Sequence, residues 1–234
     1  MRWSWPFLIY PPVVLLHLGL LAVGASGAPV TKALLMPALL LAVVLTVGVT
    51  ARPELFRADA TGAARGRVLA VALLLALGIV ASWFGDILLG PYFVVGLASF
   101  GVAHLLFIAA FNGPAAARRL PGWTLAYVPL LALALVLLWP HLGELRVVVA
   151  GYGIVLALTA MTAARVSGLT ALGGGLFLAS DTLLAFRLFQ PGFVEAFPDP
   201  WQDLLIMVLY CAGEGLIALG VLRRLADRSA APAV

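Results

Sequence analysis

Three acidic residues, Asp86, Asp181 and Glu214, lie inside long apolar segments of the sequence. A charged side chain is costly inside a bilayer, so each of these acids is a candidate for a functional site. Two buried carboxyl groups that lie close together can divide the work of acid and base, because repulsion between like charges keeps one of them protonated. Such a pair suits proton transfer to a bound molecule or a proton relay through a transporter. His104 and Lys32 lie in or beside the same kind of segment.

The composition predicts that membrane-spanning helices hold these residues. The sequence has 234 residues, of which 64% are hydrophobic and 10% are charged, and its mean hydropathy is +1.13. Soluble domains contain roughly 45–50% apolar and 25% charged residues, so much of this apolar surface must face lipid. Runs of roughly 20 apolar residues predict an all-α integral membrane protein, a bundle of eight transmembrane helices in a single domain over residues 1–234. The predicted helices cover about 6–25, 31–51, 67–89, 92–111, 122–139, 145–164, 168–189 and 202–222.

The first of these helices has an alternative interpretation as a signal peptide. Arg2 precedes the apolar stretch and the small residues 25–28 follow it, as in a secretory signal. Pro11, Pro12 and His17 lie inside the stretch and favour a helix that stays in the membrane.

The basic residues predict the orientation of the helices. If the N-terminus is cytoplasmic, eleven basic residues fall on the inner side, and only Lys32, Arg146 and Arg187 fall on the outer side. This bias follows the positive-inside rule, and a missed helix would distribute the basic residues over both sides of the membrane. We therefore expect both termini in the cytoplasm and the chain in a cell membrane, taken to be a bacterial inner membrane. The inner residues are Arg2, Arg52, Arg57, Arg65, Arg67, Arg118, Arg119, Arg165, Arg223, Arg224 and Arg228.

The same features exclude several function classes. The net charge is +4, but the basic residues are scattered between apolar runs, which excludes a nucleic-acid-binding patch. Cys211 is the single cysteine, so no internal disulfide and no cysteine metal site are predicted. His17, His104 and His141 form no His-x-x-x-His pair, and neither a metal site nor a cofactor is predicted. The Pro-Ala-Leu motif of intramembrane aspartyl proteases occurs only at residues 37–39, upstream of both aspartates.

Asp86 and Asp181 are expected at a similar depth in the membrane. Predicted helices 3 and 7 run in the same direction, with Asp86 about 19 residues after Arg67 and Asp181 about 16 residues after Arg165. At about 1.5 Å per residue, their levels differ by roughly 5 Å, and both lie in the outer half of the bilayer. The two carboxyl groups could therefore share one cavity.

Several short motifs are spread along most of the chain. They are Thr31-Lys32 with Met36-Pro37, Gly85-Asp86 with Gly96, Phe100 and His104, Tyr152 with Met161 and Ala164, Phe177 with Ser180-Asp181, and Tyr210. In their order and helix placement these motifs resemble the YhhN family of lysoplasmalogenases, which are membrane proteins of eight helices. The chain departs from the family pattern at two positions: Ala33 stands where the family usually has Pro, and Glu214 stands where it tends to have Gln.

The resemblance implies hydrolysis of the vinyl-ether bond of a lysophospholipid, either lysoplasmenylethanolamine or lysoplasmenylcholine. Protonation of the vinyl carbon gives an oxocarbenium ion, which captures water and collapses to a fatty aldehyde and a glycerophospho-alcohol. One protonated carboxyl and one carboxylate suit this reaction, as in glycosidases. The implied catalytic pair is Asp86 and Asp181, in either order.

The same hypothesis gives roles to six other residues. His104 would orient one aspartate or the water, and Lys32 would bind the substrate phosphate. The polar part of the pocket would be lined by Tyr152, Ser180, Tyr210 and Glu214.

Several alternatives stay open at this stage. The same buried acids would suit a proton-coupled transporter or a lipid-binding membrane protein. Glu214 could instead pair with Arg187 or Lys32 as a structural contact. A bacterial member could act on another ether, an epoxide or a different lysolipid, and the sequence predicts no oligomeric state.

Overall fold

The computed structural model describes residues 5–50, 62–197 and 199–229. Within these residues, eight helices are long and apolar enough to cross a membrane, which confirms the predicted all-α membrane fold. Arg2, Arg52 and Arg57, which were counted for the orientation, lie outside the described residues. The α-helical segments of these spans are α1 (Tyr10–Ala22), α2 (Ala28–Thr50), α3 (Gly62–Leu88), α4 (Phe93–Asn112), α5 (Tyr127–Leu138), α6 (Arg146–Ala163), α7 (Gly168–Phe189) and α8 (Trp201–Ser229). Adjoining 3₁₀ turns extend the spans of α1 and α5 to Trp5–Ala22 and Gly122–His141.

Helix α1 is a packed member of the bundle. It follows a 3₁₀ turn at Trp5–Ile9, and its prolines stand in the first helical turn, where a missing N–H group costs no helical hydrogen bond. It packs against α2 and α8, and the Tyr10 hydroxyl donates a hydrogen bond of 3.1 Å to the carbonyl of Cys211. Gly24 has a φ of 64°, a left-handed conformation that suits glycine and ends the helix.

Small residues let the central helices approach closely. A Cβ atom added to Gly173 of α7 would lie 2.7 Å from the backbone nitrogen of Ile217 in α8. One added to Gly213 of α8 would lie 2.9 Å from the backbone nitrogen of Phe177. Glycines of this kind allow backbone contact between membrane helices, so α7 and α8 form a fixed unit.

The aromatic face of α4 packs against α3 in a similar way. Gly85 lies directly under the ring of Phe100, and Gly78 lies under the ring of Phe107. A side chain larger than glycine at either position would collide with the ring. This packing fixes the end of α3 that carries Asp86.

Helix α5 lies at the edge of the bundle. It packs against α6 and α7, and its span is the least buried of the eight described spans. The other spans form a more compact group in which α8 contacts α1, α2, α3 and α7. A large cavity lies between α5 and helices α4, α6 and α7.

Candidate active site

Each of the three acids within the membrane spans accepts a hydrogen bond from a hydroxyl group on a different helix. Tyr210 donates to Oδ2 of Asp86 at 2.8 Å, and Tyr152 donates to Oδ2 of Asp181. Ser82 donates to Glu214, which joins α3 to α8. Because the donors come from neighbouring helices, the bundle itself sets the positions of the carboxyl groups.

Asp86 lies two residues before the end of α3 and is paired with a cation. Nζ of Lys32 lies 3.9 Å from Oδ1 of Asp86. The indole N–H of Trp83 donates a hydrogen bond of 2.8 Å to the carbonyl of Ala33, which holds this part of α2 against α3. The side chain of Asp86 is 4% exposed and that of Lys32 is 37% exposed. The pair therefore connects a buried carboxyl group to the protein surface.

Asp181 is held by a chain of two further side chains. Nε2 of His104 lies 3.2 Å from the hydroxyl oxygen of Tyr152. Since Tyr152 gives its hydrogen to Asp181, its oxygen can only accept, and we therefore place the hydrogen of His104 on Nε2. His104 is fully buried, and its Nδ1 has no hydrogen-bond partner within the described part of the chain.

Glu214 forms the third pair, with Ser82. The Ser82 hydroxyl donates to Oε1 of Glu214 at 2.6 Å, and both residues are fully buried. Oε2 of Glu214 has no partner among residues 5–50, 62–197 and 199–229. The proposed structural contact of Glu214 with Arg187 is wrong, because Arg187 pairs with Asp199 and Asp203 instead.

Phe177 separates the two tyrosine–aspartate pairs. Its ring centroid lies 4.7 Å from that of His104 and 5.4 Å from that of Tyr210, and its side chain is fully buried. No hydrogen bond joins Asp86 to Asp181 in the described structure. The three acids therefore occupy three separate hydrogen-bonding sites, and the ring of Phe177 contacts a residue of two of them.

The large cavity reaches only one of these acids. Its volume is about 500 Å³, which lies within the range of roughly 300–1,000 Å³ that is typical of ligand pockets. Helices α4, α5, α6 and α7 line it almost entirely with apolar side chains. Asp181 and Tyr152 are part of its wall, whereas Asp86 is not among the described residues that line it.

Ser180 has a different environment from the one expected. Its hydroxyl donates a hydrogen bond of 2.9 Å to the carbonyl of Ile206, and its side chain is 1% exposed. The bond joins α7 to α8, so Ser180 supports the position of the adjacent Asp181. The role of Ser82 was not predicted, although it lies four residues before Asp86 and so on the same face of α3.

Comparisons with known proteins agree with the motifs. The chain is 37% identical over 132 residues to the human protein named lysoplasmalogenase TMEM86B, a match that covers 56% of this chain and 54% of the relative. It is 35% identical over 153 residues to a Mycobacterium tuberculosis protein named lysoplasmalogenase, covering 60% of this chain and 56% of the relative. The chain thus spans about half the length of the curated relatives it matches. No solved structure matches it.

The family model named YhhN family matches residues 27–221. This range includes Lys32, the three acids of the site and each of their hydroxyl donors. Because the match extends over most of the chain, the protein belongs to the YhhN family.

Proposed function

We propose that this protein hydrolyses the vinyl-ether bond of a lysoplasmalogen inside the membrane. The observation that carries the proposal is the position of Asp181, which is held by Tyr152 in the wall of an apolar cavity. An amphiphile with one hydrocarbon chain fits such a cavity, and an acid in its wall can protonate a carbon atom of the bound chain. The names of the relatives support the same reaction.

In the proposed reaction, Asp181 donates its proton to the second carbon of the vinyl ether. The electron pair of the double bond forms the new carbon–hydrogen bond, and the first carbon becomes part of an oxocarbenium ion. Water then adds to that carbon, and Asp181, now ionised, accepts a proton from it. The hemiacetal collapses to a fatty aldehyde and a glycerophospho-alcohol, so no oxidant or reductant is consumed.

We assign the carboxylate role to Asp86. An ammonium group close to a carboxyl group favours the ionised carboxylate, and Lys32 lies beside Asp86. A carboxylate can stabilise a nearby cation without touching it, because charges interact strongly where water is scarce. Asp181 has a hydroxyl donor and an apolar cavity around it instead, which suits an acid that starts protonated.

Lys32 is the residue we propose for the head group. Its partly exposed ammonium lies at the end of the bundle where α2 begins and α3 ends. A phosphate bound there would leave the glycerol and the vinyl ether pointing into the bundle. The proposed substrates are therefore lysoplasmenyl lipids with an ethanolamine or a choline head group.

The test is release of aldehyde from a lysoplasmalogen by the purified protein in detergent. We expect turnover by the wild-type protein and its loss in Asp181→Asn and in Asp86→Asn, since neither amide can exchange a proton or carry the charge. Glu195→Gln is the matched control, because it neutralises an exposed acid in the short helix Pro191–Ala196, away from the cluster. Turnover by Asp181→Asn at the wild-type rate would refute the assignment.

A proton-coupled transporter is the second candidate function. Three carboxyl groups inside the membrane spans, each with a hydroxyl donor from a neighbouring helix, are also what a proton relay needs. A transporter makes no product, so the aldehyde assay separates the two. Proton uptake by proteoliposomes with a lysolipid gradient, in the absence of aldehyde release, would favour the transporter.

We also propose that both termini face the cytoplasm, in keeping with the predicted distribution of arginines. Ala117 and Glu144 are exposed residues in turns at opposite ends of the bundle, and Cys211 is buried. In intact cells, a membrane-impermeant thiol reagent should label Glu144→Cys but not Ala117→Cys. The reverse pattern would invert the topology.

A further inference from the structure

Side-chain contacts cover the two ends of the large cavity. At the end where α5 begins, the hydroxyl of Tyr127 lies against Gly175 of α7, because a Cβ atom added to that glycine would lie 3.0 Å from the hydroxyl oxygen. At the other end, the ring of Phe93 in α4 lies against the ring of Phe189 in α7, with 5.8 Å between their centroids. All four residues line the cavity. These contacts obstruct an approach along the axis of the bundle, so access depends on the sides of the cavity.

Helix α5 closes one side of the cavity with only part of its surface. Leu131 packs on Gly153 of α6, because a Cβ atom added to that glycine would lie 2.8 Å from Cδ1 of Leu131. Leu138 is buried in a cluster with Val149 of α6. Both leucines share one face of α5 with Tyr127, which faces α7. The next face around the helix carries Leu130, Leu133 and Leu137.

This second face of α5 lines the cavity and is also exposed at the surface of the bundle. Leu130, Leu133 and Leu137 belong to the cavity wall, yet they are 56%, 56% and 45% exposed. Leu138, on the neighbouring face, is 3% exposed. Exposed leucines of a membrane span contact lipid tails, which are equally apolar. The cavity is therefore open towards the lipid beside these three residues, which we call the open flank of α5.

The open flank lies at the depth of Asp181. Helices α5 and α7 run in the same direction, since α6 returns between them. Leu133 lies eight residues before the end of its span at His141, and Asp181 lies eight residues before the end of α7 at Phe189. At about 1.5 Å per residue, both lie roughly 12 Å from that end of the bundle. The hydrocarbon core of a bilayer is about 30 Å thick, so the opening faces lipid tails rather than water.

We propose that the lysolipid enters the cavity sideways from the bilayer, with its hydrocarbon chain passing the open flank of α5, and that the fatty aldehyde leaves by the same route. The inference rests on the proposed function for the position of the vinyl ether at Asp181. Leu137 lies only about 6 Å from the end of its span, so the opening extends towards the membrane surface. The head group can therefore stay at that surface while the chain moves into the cavity. The apolar aldehyde is released into the membrane rather than into water.

Reversible blockage of the opening tests this route. Leu133→Cys places a thiol on the open flank, and a bulky aromatic methanethiosulfonate attaches to it through a disulfide bond that a reductant removes. Val136→Cys is the matched control, because Val136 lies on the same helix, is 69% exposed and is not among the described residues that line the cavity. The native Cys211 is buried, and mass spectrometry checks that each variant carries one label.

The probe is a lysophospholipid with a saturated ether in place of the vinyl ether, so that binding is measured without the reaction. Its association and dissociation rates are measured with the purified protein in lipid nanodiscs. We expect the label on Leu133→Cys to slow both rates by at least about tenfold, because the lipid passes the same obstruction in both directions. The dissociation constant is the ratio of the two rates and should change by no more than about threefold.

Reductant should restore both rates in Leu133→Cys, which separates blockage from damage to the fold. The label on Val136→Cys should change neither rate by more than about twofold. If Leu133→Cys does not fold, Leu130→Cys provides the same test about one turn deeper in the membrane.

Unchanged rates after labelling, or equal slowing by the label on Val136→Cys, would overturn the inference. Faster dissociation without slower association would also overturn it, since that result indicates a lost contact rather than a blocked route. Aldehyde release from a lysoplasmalogen separates this failure from failure of the proposed function. Slowed exchange in a protein that releases no aldehyde would support the route and refute the reaction. Aldehyde release that the label on Leu133→Cys does not slow would support the reaction and refute the route.

Discussion

Replacement of Tyr152 by phenylalanine is the sharpest test of how the site works. The substitution keeps the ring and removes a hydroxyl that makes two contacts, one to Asp181 and one to His104. Asp181 then loses its donor, and the N–H group of His104 has nothing to donate to among the described residues. Because Nδ1 of His104 already lacks a partner there, both nitrogens of a fully buried ring would be unsatisfied.

The magnitude follows from the two contacts. A buried polar group left without its partner costs about 1–3 kcal/mol, so we expect the free energy of unfolding to fall by that amount. A hydrogen bond to a charged group contributes about 1.5–3 kcal/mol. If the hydrogen bond from Tyr152 stabilises the Asp181 carboxylate that forms in the transition state, its loss lowers turnover roughly 10-fold to 100-fold, since about 1.4 kcal/mol corresponds to a factor of ten. The Michaelis constant should change little, because the cavity wall is otherwise intact.

Two tyrosines provide the controls for this experiment. Tyr10→Phe removes a buried hydroxyl that donates to a backbone carbonyl, so it should lower stability without a comparable loss of turnover. Tyr210→Phe removes the hydroxyl donor to Asp86, but Asp86 still has Lys32 beside it. This substitution should therefore reduce turnover less than Tyr152→Phe. Aldehyde release and thermal unfolding in the same detergent measure both effects. Wild-type turnover in Tyr152→Phe would refute the proposed role of Asp181 as the acid.

Three further predictions concern other parts of the molecule. Lys32→Gln should raise the Michaelis constant for a lysoplasmalogen more than for an alkenylglycerol without phosphate, and an equal change for both would argue against phosphate binding. Glu214→Gln should keep the hydrogen bond from Ser82 and most of the turnover, as measured by aldehyde release. Glu214→Leu leaves the Ser82 hydroxyl without its acceptor, so thermal unfolding should show a lower stability for this variant. Gly173→Ala should lower stability by about 1–3 kcal/mol because the α7–α8 contact has no room for a methyl group, and unchanged unfolding would contradict that packing.

The helices could be predicted from the sequence because a single physical requirement determines them. A segment that crosses the membrane must be apolar over roughly 20 residues, and the charges between such segments mark their ends. The predicted bounds therefore lie close to the observed ones over most of the chain. The largest difference is at α8, which continues to Ser229 rather than ending near residue 222. Its last turns carry Arg223, Arg224 and Asp227, and such residues end an apolar run without ending a helix.

The hydrogen-bond partners could not be predicted in the same way. Rise per residue gives the height of a side chain along its helix but not the direction in which it points. The similar heights of Asp86 and Asp181 meant that they could share one cavity, but among the described lining residues Asp181 is present and Asp86 is not. Ser82 and Glu214 lie 132 residues apart, and only the packing of α3 against α8 brings them together. The position of Phe177 between the tyrosine–aspartate pairs likewise depends on three helices at once.

The separation of the two aspartates suits a substrate with two unlike ends. An apolar cavity can hold a hydrocarbon chain, but hydrolysis also requires water and a place for a charged head group. Asp86 and Lys32 provide a polar environment near the surface, and the cavity beside Asp181 provides an apolar environment. The vinyl ether lies between the head group and the chain of a lysoplasmalogen. It would therefore be bound where these two environments meet, within reach of Asp181, while Asp86 would act on the cation from the other side of Phe177.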